Sequence, residues 1–177
     1  PIGYDYLSGV SANPALPLQR ELLWIAARIR NEAASIADFR AAASNIESLV
    51  FAGDIDAAIE LLRLWDEAHG ASLWSVQLRI GLEQLSGGLE RQKQYTASVR
   101  RIFKQGLLGF VAYHTSVRNE EKTTFPKYIE DVQARIERHK YFTPPIRTYL
   151  RFRLTNELPA LESELADVLC VEQNHSI

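Results

Sequence analysis

Apolar side chains recur every three or four residues along most of the chain, and each stretch that keeps this period predicts an amphipathic helix, because a helix returns to one face every turn. From Pro17 the stripe is Leu18, Leu22, Ile25 and Ile29, with Arg20, Glu21, Arg28 and Arg30 mostly off it. Pro17 suits a first helical turn, where its missing N–H costs nothing. Ser35 followed by Asp38 reads as a capping box with Asp in place of Glu, and Ile36, Phe39, Ala43, Ile46 and Val50 continue as a second helix ending at Gly53. Asp54 caps a third, whose buried stripe is Ile55, Ala58 or Ile59, Leu62 and Trp65 and whose end is His69-Gly70. Ser72 opens a fourth through Leu73, Val76, Ile80 and Leu85, stopped by Gly87-Gly88.

The run from about 89 to 107 sets Tyr95, Val99, Ile102 and Phe103 against Arg91, Lys93, Arg100, Arg101 and Lys104, an amphipathic helix with a basic outer face. Leu107 to Val117 is ambiguous: Phe110, Val111, Tyr113, Thr115 and Val117 favour a strand, while Phe110, Tyr113 and Val117 also fit a helical stripe. A lone strand would leave its backbone groups unpaired, so a helix is expected. After a polar loop from Asn119 to Thr124, Pro126 opens a helix bearing Tyr128, Ile129, Val132 and Ile136, and Thr143-Pro144-Pro145 opens another bearing Ile146, Tyr149 or Leu150, and Arg153 or Leu154. Asn156 with Pro159 starts a last one through Leu158, Leu161, Leu165 and Val168. The fold expected is all-α, about nine helices in stacked antiparallel pairs, as an irregular α-solenoid or a helical bundle with one continuous interior.

Gly53 and Gly87 stand 34 residues apart, each closing one amphipathic run and preceding another. In the segment 42–70, Gly53-Asp54 lies at an inter-helix turn, Ala58 at the small position of the following helix and Leu62 at its large apolar position. This segment resembles a tetratricopeptide repeat, whose period is also about 34 residues. The resemblance implies a stack of helix hairpins that binds other proteins. It departs from the family at Ala42, where an aromatic is usual, at Gly70, where a proline often closes the unit, and at Gln92, which in the second copy predicts helices pushed apart. The alternative is that Gly53 simply caps one of two ordinary antiparallel helices.

Composition adds bounds. With 177 residues and 46% apolar content the chain can close an ordinary core without staples. Residues 1–16, rich in Gly, Ser, Asn and Pro, read as a linker or terminal arm, and 17–177 as one helical domain. Cys170, the single cysteine, allows no internal disulfide and reads as a buried small hydrophobe, which suits a reducing cytoplasm. No apolar run reaches the roughly 18 residues that span a bilayer, so no membrane partner is expected. The chain has no methionine, even at its first position, and reads as a piece of a longer protein.

The net charge of −2 hides a polar distribution: residues 1–90 carry 6 basic and 12 acidic side chains, 91–153 carry 14 and 5, and 154–177 carry none and 5. Cations interleaved with aromatics are what nucleic-acid grooves use, and Arg100, Arg101, Lys104, Arg147, Arg151 and Arg153 form the candidate contact set. The basic segment can equally meet an acidic partner or the acidic amino-terminal half of the same chain. His69, His114, His139 and His175 are too scattered for a helical metal site, and Gly87-Gly88 lacks the residues of a phosphate loop, so no metal or cofactor is expected. An enzyme would need a polar pocket holding His114 or His139 beside a carboxylate. The leading expectation is a non-catalytic protein-interaction or oligomerisation module within a larger protein, with Trp24 and Trp74 as surface anchors, and nucleic-acid binding through 91–153 as the alternative.

Overall fold

The structure, a computed structural model, describes residues 17–104 and 106–175. Among the described residues every regular element is a helix: α1 (Leu18–Asn31), α2 (Ala33–Phe51), α3 (Ile55–His69), α4 (Leu73–Ile102), α5 (Leu107–Arg118), α6 (Phe125–Arg138), α7 (Pro144–Thr155) and α8 (Glu162–His175). The expected arm at 1–16 lies outside the described residues. Eight helices replace the expected nine because the fourth and fifth meet without a loop in α4. The break is still present, at Gly87 (φ −134°, ψ 15°) and Gly88 (φ 72°, ψ −168°). Gly88 occupies a backbone region that is essentially closed to other residues, which is why the kink falls there.

Helices adjacent in sequence pack against one another, α5 also touches α7, and α1 lies against α8, so the path of packed neighbours returns to its start. The interior is divided. A larger cluster joins α4 to α8 through Leu73, Val76, Ile80, Leu108, Val111, Val132, Ile136, Tyr149, Leu150 and Val168, among others. A smaller one joins α2, α3 and α4 through Ile46, Ala58, Ile59, Leu62 and Leu82. The single continuous interior expected from the pattern is therefore two clusters, both served by α4.

Local chemistry explains most boundaries. At the α2–α3 turn the Gly53 N–H donates to Val50 O (3.0 Å) and the Asp54 N–H to Leu49 O (2.9 Å), with Gly53 at φ 80°. These paired bonds satisfy carbonyls that a helix end leaves open. The Asp54 carboxylate then accepts from the Ala57 N–H at 3.3 Å, as the sequence predicts. Asp54→Ala is expected to lower stability by about 1 kcal/mol in urea unfolding, and an unchanged midpoint would mean the long cap bond is not made in solution. Ser72 and Ser75 make a reciprocal capping box at the start of α4. The ambiguous stretch 107–117 is helix α5, and Pro126 and Pro144-Pro145 sit in the first turns of α6 and α7.

Other expectations fail for identifiable reasons. The Ser35–Asp38 box does not form, since α2 already starts at Ala33 and only Glu32 separates it from α1. Asn156, expected to start the last helix, ends α7 in a left-handed conformation (φ 58°), and α8 begins only at Glu162, so Leu158 and Leu161 precede it and are exposed. Leu85 and Ile102 lie on the predicted stripes but are exposed on α4, whose buried positions run through Val76, Ile80 and Glu83 before the kink and Gln92, Thr96 and Val99 after it. Cys170, expected to be buried, is half-buried, and it forms no disulfide among the described residues.

Gln92 is the most informative correction. Its side chain is fully buried against α5, a helix outside the second copy: its Nε2 donates to Ser116 O (3.0 Å) and Ser116 Oγ (2.9 Å). An amide fits at a close helix contact when the facing helix supplies acceptors for it.

Candidate binding surfaces

The six basic side chains singled out from the sequence fall into two groups of different character. Arg147, Arg151 and Arg153 on α7 are half-buried and engaged. Arg147 pairs with Glu137 (3.4 Å) and its Nε donates to Phe142 O (3.1 Å), while Arg151 pairs with the same Glu137. Arg153 pairs with Glu172 of α8 (3.1 Å) and donates to Gln77 Oε1 of α4 (2.9 Å), so it ties three helices together. Their cationic groups serve the protein itself. Arg100 and Arg101, in the last turn of α4, and Lys104 just beyond it are exposed, and among the described residues none has an ion pair.

Among the described residues, ion pairing between the basic segment and the acidic amino-terminal half rests on one residue. Arg91 alone carries ion pairs from the basic segment to the acidic half, to Asp56 (3.3 Å) and to the buried Glu83 (2.5 Å), among the described residues. Arg79 adds a second partner for Glu83 at 3.1 Å. Ser86 donates to Asp56 at 2.6 Å, and this bond together with Arg91 holds the Asp56 carboxyl below the usual carboxylate range. Arg91 thus clips the segment after the α4 kink to the segment before it and to α3.

Among the described residues, neither histidine considered for catalysis meets a carboxylate. His114 on α5 is 2% exposed, with the rings of Phe110, Tyr113 and Tyr128 around it at centroid distances of 4.5, 5.0 and 6.3 Å. Burial in this apolar surround, and then the charges of Arg135 and Arg100, push its pKa down to about 4, so the ring is neutral at physiological pH. His139 stacks on Phe142 (3.6 Å), and burial lowers its pKa as well. An open cleft of about 360 Å³ lies between α4 and α7, lined by Gln77, Phe152, Arg153, Asn156 and Leu158, with neither histidine in its wall. No group of three or more His, Cys, Asp or Glu side chains converges to hold a metal ion among the described residues. No helix among them is long and apolar enough to cross a membrane.

The two tryptophans diverge. Trp24 on α1 is 58% exposed. Trp74 is half-buried against the smaller cluster, edge-on to Phe39 at 4.8 Å, so part of its ring is covered by the protein's own interior. What the sequence pattern missed lies beside Trp24: Leu22 (51%), Leu23 (72%) and Ile29 (46%) are exposed, although Leu22 and Ile29 sit on the predicted buried stripe. The covered face of α1 is instead Leu18, Glu21, Ile25 and Arg28, rotated away from the apolar stripe toward charged positions. Also missed was Tyr113, which gathers Arg100 and Arg135 from two other helices. A basic amphipathic stripe gives no sign of such a meeting, because it depends on how α4, α5 and α6 are placed.

Comparison of the chain with protein-family models, with curated proteins and with solved structures finds no match to any of them.

Proposed function

We propose that this helical assembly is a protein-interaction module, acting within a larger protein in the cytoplasm, and that α1 supplies its contact surface. One observation carries the reading. α1 buries the Glu21 side of its circumference and leaves Leu22, Leu23, Trp24 and Ile29 to solvent, an apolar and aromatic set that soluble surfaces seldom collect on one short helix. Trp is enriched among the residues that dominate interface energies. The tetratricopeptide likeness belongs to the same reading: Ala58 and Leu62 are fully buried beside the Gly53 turn, as the close helix approach of such a hairpin requires. The nucleic-acid alternative draws on Arg100, Arg101 and Lys104 and loses Arg147, Arg151 and Arg153 to internal partners.

The first partner to test is a second copy of the chain. Sedimentation equilibrium across a wide concentration range is expected to show reversible self-association, and Leu22→Glu or Ile29→Glu is expected to weaken it at least about tenfold, since either change places a charge in the apolar contact. A chain that stays monomeric, and that captures no protein dependent on Leu22 and Ile29, would count against the proposal.

A further inference from the structure

Tyr113, midway along α5, collects two cations from different helices. The guanidinium carbon of Arg100, in the last turn of α4, lies 4.6 Å from the ring centroid, and that of Arg135, in the last turn of α6, lies 4.9 Å from it. The two charges therefore stand within about 10 Å of each other, close to the screening distance of physiological salt. Among the described residues neither guanidinium has an ion pair or an acceptor for its N–H groups, and both residues are exposed. The carbonyl ends of α4 and α6 each bring roughly half a negative charge. Against two full positive charges this leaves the cluster net cationic by about one unit.

We propose that Arg100 and Arg135, held against the Tyr113 ring, form a binding site for a phosphoryl group. Stacking on an aromatic face restricts a guanidinium while leaving its donor edge available, and two such forks match the several acceptor oxygens of a phosphate. Lysine in either position would supply charge without this planar geometry. The field that the pair projects is felt at His114, beneath the ring, where both arginines oppose protonation. The same chemistry is offered by a free phosphate or monoester and by the phosphodiester backbone of single-stranded nucleic acid. The neighbouring exposed cations Arg101 and Lys104 would extend the contact only for the second.

The test follows the Arg Nε–Hε resonances of the whole chain during titration with inorganic phosphate and, separately, with a short oligothymidylate, at constant ionic strength set by chloride. Saturable shifts of the Arg100 and Arg135 signals are expected with at least one probe, and which probe acts identifies the source. Arg135→Gln and Arg100→Gln are expected to weaken binding about tenfold, and Tyr113→Leu several-fold, whereas Arg101→Gln leaves the inorganic phosphate titration unchanged. Thermal melts of the variants check that they fold as the parent does. The inference is overturned if neither probe gives saturable shifts, or if Arg101→Gln weakens phosphate binding as much as Arg135→Gln.

Discussion

Gly109→Ala is expected to destabilise the protein by about 3 kcal/mol, lowering the thermal midpoint by roughly 6–12 °C for a chain of this size. Gly109 is buried in the first turn of α5, where that helix lies against Phe103, the residue that caps the end of α4. A methyl group there would stand 2.2 Å from Phe103 O and 3.2 Å from Phe103 C. Both atoms belong to the backbone, so no side-chain rotation relieves the overlap and the two helices must separate. Gly81 supplies the control. It lies within α4, and a methyl group built on it meets nothing within 4 Å. Gly81→Ala is therefore expected to stabilise by about 0.5–1 kcal/mol through helix propensity. The same chemical change should give opposite signs at the two positions in urea unfolding. A neutral or stabilising Gly109→Ala would show that α5 does not approach α4 so closely.

His114 is expected to make stability strongly dependent on pH. In the unfolded chain its pKa returns to about 6.5, whereas in the folded protein it is held down to about 4. The unfolded state therefore binds a proton first as pH falls. Its stabilising contribution is intact above about pH 6.5, is lost between about pH 6.5 and pH 4, and does not fall further below that. Between pH 7 and pH 4.5 the loss amounts to about 2.5 kcal/mol. His139, whose pKa is lowered by burial and by Arg147, acts in the same direction. Unfolding free energies of the parent and of His114→Gln, measured across this range, should converge on acidification. Parallel curves would mean that His114 titrates normally and that its aromatic surround admits water.

The parts of this architecture that the sequence makes legible are those in which one helix buries one stripe. On α6 the residues Tyr128, Val132 and Ile136 recur every four positions, and all three are buried. Ala58 and Leu62 on α3 behave alike. α1 breaks the rule because Glu21 is buried and Arg28 half-buried, and both have partners, so the apolar arc and the covered arc overlap only in part. Periodicity finds an apolar arc but cannot say which side of it meets a neighbour. Gln92 misled for a related reason: the cost of burying an amide depends on acceptors that Ser116 brings from another helix.

The candidate site was less legible than the fold. Net charge along the segment 91–153 located a basic region, but the ion pairs that divide it are tertiary. Glu137 occupies Arg147 and Arg151, while Arg100 and Arg135 find no carboxylate among the described residues. Nothing in the one-dimensional order distinguishes these cases, since Glu137 is closer in sequence to Arg135 than to Arg151.

The contact of α1 with α8 also bears on how such a molecule could enlarge. Open stacks of helix hairpins lengthen by copying a unit at one extremity, because an extremity has a bare flank waiting for the next unit. Here α1 already leans on α8, so inserting a further unit between them would first require prying that closure apart.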